Sequence, residues 1–152
     1  MPIQICRAAV INMFHNDNIV FSYTTKMAVE DGVLFPVPES LTKPAGIKYP
    51  VYFNDSVWHN YVDPAYMTQE QTEKENTIRQ ILEGFLPAAR RCSSNVCRFN
   101  FCLDGPTARI VSPRNEVLNP DQSMTVTLKA IVTAEDIDRP NPAVFFMLPW
   151  ED

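Results

Sequence analysis

Apolar positions along this chain follow two periods. Cys97, Phe99, Phe101 and Leu103 alternate strictly with Arg98, Asn100 and Cys102. Successive side chains of an extended chain point to opposite faces, so this run predicts a strand with one apolar face. Met124, Val126, Leu128, Ala130 and Val132 alternate with Thr125, Thr127 and Lys129 and predict a second strand. Ala143 to Leu148 is apolar throughout and reads as a buried strand. Asp104-Gly105 is a turn signal, and 134–142, with Glu135, Asp136 and Asp138, reads as a loop. The other period is helical. Ile78, Ile81, Leu82, Phe85 and Leu86 recur at i, i+3, i+4, i+7 and i+8 and form a core-facing stripe. Thr68 with Gln71, or Thr72 with Glu75, matches a capping box for this helix. Pro87 is expected to kink or end it, and Arg90 and Arg91 suit its C-terminal side.

The N-terminal half is cut into shorter pieces by several of the chain's 13 prolines. Ile19 to Tyr23 reads as a strand, Thr24 or Thr25 as an N-cap, and Lys26 to Asp31 as a short helix with Gly32 at its C′ position. Val33 to Val37 is the next strand, stopped by Pro36 and Pro38. Residues 40–46 read as a helical turn or loop broken by Pro44 and Gly46. Pro50 demotes Ile47 to Phe53 to an edge strand or extended segment. Asn54 or Asp55 can cap a second short helix over Ser56 to Val62, with Val57, Trp58, Tyr61 and Val62 on one face. Asp63-Pro64 ends it. The fold class expected is α+β: a single domain with a mainly antiparallel sheet, one long amphipathic helix and two short ones. Residues 19–152 form that domain, and residues 1–18 read as an N-terminal extension that can include a strand.

Length and composition agree with one domain. The chain has 152 residues, 45% of them apolar. The formal net charge is −5, from 18 acidic and 13 basic residues, and Arg90–Arg91 is the only basic doublet. Affinity for phosphate backbones comes largely from clustered Lys and Arg, so direct nucleic-acid binding is not expected. No run approaches the apolar length of a membrane span, and the first 14 residues lack the zones of a signal peptide. A cytoplasmic protein is the expectation.

Candidate chemistry is sparse. The four cysteines, Cys6, Cys92, Cys97 and Cys102, lack zinc-knuckle spacing. Cys97 and Cys102 fall on opposite strand faces, and all four are expected as free thiols, with no metal and no cofactor. His15 and His59 read as surface histidines. Four glycines assemble no phosphate-cradling loop, and no nucleophile elbow or zinc-deaminase pattern is present. Trp58, Tyr61 and Tyr66 are close in sequence and read as core packing first and a partner-binding patch second. Glu135, Asp136, Asp138, Glu151 and Asp152 would form a negative patch if their segments met.

Several short motifs carry a resemblance. They are Phe-Ser-Tyr-Thr at 21–24, Ala-Val-Glu-Asp-Gly-Val-Leu at 28–34, Gly-Ile-Lys-Tyr-Pro-Val at 46–51, Val-Trp at 57–58, Val-Thr-Leu-Lys at 126–129 and the closing Phe-Met-Leu-Pro-Trp-Glu-Asp at 146–152. Their order resembles a family of small uncharacterised proteins of bacteria, plasmids and phages, over residues 19 to 152. No activity is established for that family, so the resemblance assigns no catalytic residue. It implies an accessory protein of a mobile genetic element, acting by protein–protein binding and suited to inhibit a host defence system of the CRISPR or restriction type. The expected partner is a host protein or complex, docked on Glu135, Asp136, Asp138, Glu151, Asp152 and Trp58; a homo-oligomer is compatible. Two alternatives stand beside this. One is a small enzyme with a pocket near Tyr23, where a strand ending in Tyr-Thr before a short helix is similar to the nicotinamide-binding opening of ADP-ribosyltransferases; a plain β–α–β packing unit explains the same residues. The other is a nucleic-acid-binding regulator.

Overall fold

The computed structural model of the chain describes residues 24–64, 70–103, 116–119, 123–136 and 141–151. The expected strand over Ile19–Tyr23, the extension 1–18, the Asp104-Gly105 turn and Tyr66 lie outside these residues. Over the described residues the fold is α+β: a mostly antiparallel six-stranded sheet with one long helix and several short ones.

In chain order, α1 spans Thr25–Glu30 and β1 Leu34–Pro36. Thr24 caps α1, its hydroxyl accepting from the Met27 amide at 3.1 Å. Gly32, at φ +77°, closes the helix end: Val33 N donates to Ala28 O and Gly32 N to Val29 O, satisfying two otherwise orphaned carbonyls. The same closure is repeated after α2, Glu39–Thr42, where Gly46 has φ +85° and Ile47 N donates to Thr42 O.

β2, Val51–Asn54, starts immediately after Pro50. It is not an edge strand. It pairs antiparallel with β1 and parallel with β6, Pro142–Met147. Pro50 interrupts nothing, because it contributes only its carbonyl, which accepts from Val144 N at 2.9 Å. Among the described residues the edge belongs to β1, where Pro36 sits and no described outer strand needs its missing amide.

Asn54 caps the next helix through its side-chain oxygen and the Val57 amide, at 3.0 Å. One turn, α3 (Asp55–Val57), widens into a π-helical turn, Trp58–Val62, marked by the bond from Asp63 N to Trp58 O at 2.8 Å. The wider turn turns Val57, Tyr61 and Val62 fully into the core and leaves Trp58 half-buried.

α4, Gln71–Arg91, is the long helix. Its N-cap is Glu70, in a reciprocal capping box with Glu73, in place of the expected threonines. A carboxylate accepts from the first-turn amides as a hydroxyl does and also opposes the helix dipole. The helix runs through Pro87. That residue and Glu83, whose carbonyl loses its helical donor, are both exposed, so water can serve the carbonyl. Ile78, Ile81, Leu82 and Phe85 are buried, as the stripe requires.

The C-terminal strands follow their patterns closely. β3, Val96–Leu103, alternates exposed and buried at every step. It pairs antiparallel with β5, Met124–Ala134, in unbroken register from Val96↔Ile131 to Leu103↔Met124. On the other side β5 pairs with β6 over its second half and with the short β4, Glu116–Leu118, at its start. The strand order is β1-β2-β6-β5-β3. One sheet face carries Phe53, Phe99, Phe101, Leu128 and Phe146 against α2, α4 and the π-turn. The other carries Leu34, Ala143, Phe145 and Met147 with Ala28 of α1.

Candidate functional site

Of the residues expected to form an acidic docking face, the described ones, Glu135, Asp136 and Glu151, lie at two places in the fold. Glu135 and Asp136 follow β5 at its hairpin end with β6. Glu135 N donates to Asn141 O there, and Asp138 is outside the described residues. Glu151 lies past the opposite end of β6. Six extended residues separate the two sites by about 20 Å. Asp152 is also outside the described residues.

The described carboxylates are engaged within the fold. Glu135 Oε2 accepts from the Tyr52 hydroxyl at 2.5 Å, and its carbonyl accepts from Thr25 Oγ1 at 2.5 Å. Asp136 Oδ1 accepts from the Thr25 amide at 2.6 Å. Together they fasten the start of α1 to the end of β5. Glu151 fastens the C-terminal segment: its carboxylate accepts from Asn54 Nδ2 at 2.8 Å, Ser56 Oγ at 2.9 Å and the Leu148 amide at 2.8 Å. Its carbonyl accepts from the buried Lys129 ammonium, and Arg98 Nη2 donates to Pro149 O at 3.1 Å. Glu151→Ala would leave three donors without their acceptor. The group is only half-buried, so water replaces part of the loss, and a destabilisation of about 1.5 kcal/mol is expected. Chemical denaturation checks this; a change within 0.5 kcal/mol would remove Glu151 from the structural framework.

Trp58 is placed by packing. Its ring stacks on Phe35 with centroids 4.7 Å apart and planes parallel, and His59 meets Phe35 edge-on at 5.4 Å. Tyr61 is fully buried, its hydroxyl donating to buried Glu116 at 2.6 Å. It therefore adds nothing to an accessible aromatic patch. His59 is exposed, as expected.

An open groove of about 610 Å³ lies between the end of β1, α2 and the 46–50 segment that leads into β2. Pro36, Val37 and Ile47 supply its apolar wall, and Tyr49, Pro50 and Tyr52 its other side. The polar groups are few. Lys43 and Glu39 form an exposed ion pair at 3.2 Å, which contributes little to stability. Lys48 makes no ion pair among the described residues, and Tyr49 is 47% exposed. The Gly46 closure of α2 turns the chain so that Ile47 goes into the core while Lys48 and Tyr49 stay out. The Tyr52 hydroxyl, held by Glu135, fixes that ring against Phe145 at 5.4 Å. None of these groove residues was singled out as a candidate site, although Ile47 to Pro50 fall within the Gly-Ile-Lys-Tyr-Pro-Val motif. The density of proline and tyrosine over 36–52 is the signal that marks them.

The cysteines divide as the strand pattern requires, with Cys97 buried and Cys102 exposed on the opposite face. Cys92 is half-buried at the end of α4, and its thiol donates to the carbonyls of Ser94 at 3.5 Å and Val96 at 3.2 Å. Burial, reinforced by Cys92, pushes the Cys97 thiol above its ordinary value, against a smaller opposing pull from Arg91. Among the described residues no three His, Cys, Asp or Glu side chains gather where a metal ion could be held. No helix among them is long and apolar enough to cross a membrane. Tyr23 lies outside the described residues. No protein-family model, curated protein or solved structure matches the chain.

Proposed function

We propose that this chain is a non-enzymatic accessory protein of a mobile genetic element that acts by binding a host protein, and that the groove between β1, α2 and β2 is its docking site. The observation that carries the docking site is the groove's make-up: an open, largely apolar wall of prolines and tyrosines beside one lysine with no ion-pair partner among the described residues. Such a surface suits an extended peptide segment. Rigid tyrosine and proline rings give contact area at low entropic cost, and Lys48 selects for a carboxylate on the partner. The mobile-element setting and a role against host defence rest on the sequence resemblance over residues 19–152. The engagement of Glu135, Asp136 and Glu151 within the fold moves the proposed interface away from the acidic residues.

The test is affinity capture from bacterial host lysate by tagged wild-type protein and by a Lys48→Glu, Tyr49→Ala variant. Both residues are exposed, so the variant should unfold at the wild-type denaturant concentration. The wild type is expected to retain one stoichiometric protein, with affinity reduced about 10- to 100-fold in the variant. Equal retention by both would place the interface elsewhere. No retained protein at any concentration, with the chain folded and monodisperse, would overturn the binding function.

A further inference from the structure

We infer that Cys92 and Cys97 are a modification site, a dithiol that a small-molecule disulfide of the glutathione class converts to an intramolecular disulfide. The two residues are brought together by how α4 hands over to β3. α4 stops at Cys92, its cap residue, whose amide donates to Ala89 O. The chain turns back over 93–95, held by a bond from Val96 N to Ser94 Oγ at 3.1 Å. Cys92 Sγ then lies 3.2 Å from the Val96 carbonyl oxygen, one peptide bond before Cys97. Both residues also pack on the same core cluster. A bond between them closes a short ring without moving either element far, whereas Cys102 points from the other sheet face.

Exposure divides the work. Half-buried Cys92 meets the oxidant and buried Cys97 resolves. Cys92 gives its proton to solvent, and the thiolate attacks one sulfur of the oxidant RSSR. The oxidant's S–S bond breaks and RS⁻ departs, leaving Cys92–S–S–R. Cys97, deprotonated in turn, attacks the Cys92 sulfur and expels the second RS⁻. Two protein thiols are oxidised by two electrons, one small disulfide is reduced to two thiols, and the two protons end on the departing thiolates. The raised Cys97 thiol supports persistence of the product. A reduced state not stabilised as thiolate gives a disulfide that is hard to reduce.

The full chain, reduced and freed of reductant, is incubated with oxidised glutathione, then alkylated and mapped by peptide mass. The expected product has lost two hydrogens, with Cys92 and Cys97 linked to each other and neither linked to Cys6 or Cys102. Cys97→Ser should stop at a lasting glutathione adduct on Cys92. Three wild-type results would overturn the inference: a lasting adduct on Cys92, pairing of Cys92 or Cys97 with another cysteine, or no loss of two hydrogens while exposed Cys102 takes up glutathione. Should Cys97→Ser fail to fold, the wild-type product decides alone.

Discussion

Phe146→Ala is expected to lower the unfolding free energy by about 4 kcal/mol. Phe146 is fully buried, and its ring joins three strands to the helix. It lies 5.3 Å from Phe53 of β2, 5.5 Å from Phe99 of β3 and 5.0 Å from Phe85 of α4, the last two edge-on. Truncation removes the transfer free energy of a whole ring and leaves a cavity lined by three others. Those neighbours sit on elements whose spacing is set by backbone pairing, so the cavity can close only a little. The measurement is urea denaturation with the midpoint and slope read separately. A shifted midpoint at unchanged slope, and a melting temperature lower by on the order of 10 °C, is expected for a domain of this size. A loss below 1.5 kcal/mol would mean that the ring cluster is looser than these distances. Because β6 pairs directly with β2, the groove wall depends on the same ring, and partner capture near the lowered melting temperature should fall in step.

The elements that were legible in the sequence are those whose pattern is local. β3 alternates because one face meets α4, and the apolar stripe of Ile78, Ile81, Leu82 and Phe85 is the other half of that contact. β6 reads as an unbroken apolar run because both sheet faces are covered around Phe145 and Phe146. The Thr24 cap and the Gly32 closure are set within a few residues and are equally plain. The position of β2 was hidden because a proline before a strand and a proline within one look alike until the partner strands are known. The π-turn was hidden because Val57, Trp58, Tyr61 and Val62 fit an ordinary helix, and the wider turn still buries three of them while leaving Trp58 half-buried. The internal bonds of the acidic residues were hidden for a related reason. Glu135 and Asp136 read as solvated loop groups, yet their partners Tyr52 and Thr25 are 83 and 111 residues away. No spacing rule connects residues at such separations; only the parallel pairing of β2 with β6 and the docking of α1 do. The approach of Cys92 to the start of β3 is local in sequence but depends on where α4 stops.

Gly84→Ala tests the closest approach in the fold and is expected to cost about 2–3 kcal/mol net. The ordinary expectation has the opposite sign. In a helix interior alanine is favoured over glycine by about 1 kcal/mol, and it also restricts the unfolded chain. At Gly84 a Cβ would stand 2.4 Å from the Asn100 carbonyl oxygen, 2.8 Å from Phe101 Cβ and 3.1 Å from Phe101 Cα. Two of these atoms are backbone and the third is the first side-chain carbon, so no rotamer change relieves them. Relief requires α4 to lift off β3, and that opens the packing of Phe85 on Phe99. The repulsion therefore exceeds the propensity gain. Among the described residues β3 ends the strand path, with β5 its one partner, so a displaced helix weakens a strand held on one side. Gly32 and Gly46 provide the contrast, since a Cβ there meets nothing within 4 Å and the cost of alanine is confined to their left-handed backbone. Denaturation of the three alanine variants separates the two causes. Loss at position 84 should be the largest and should come with faster amide exchange along β3. A gain in stability at position 84 would show that α4 rides farther from the sheet than this geometry places it.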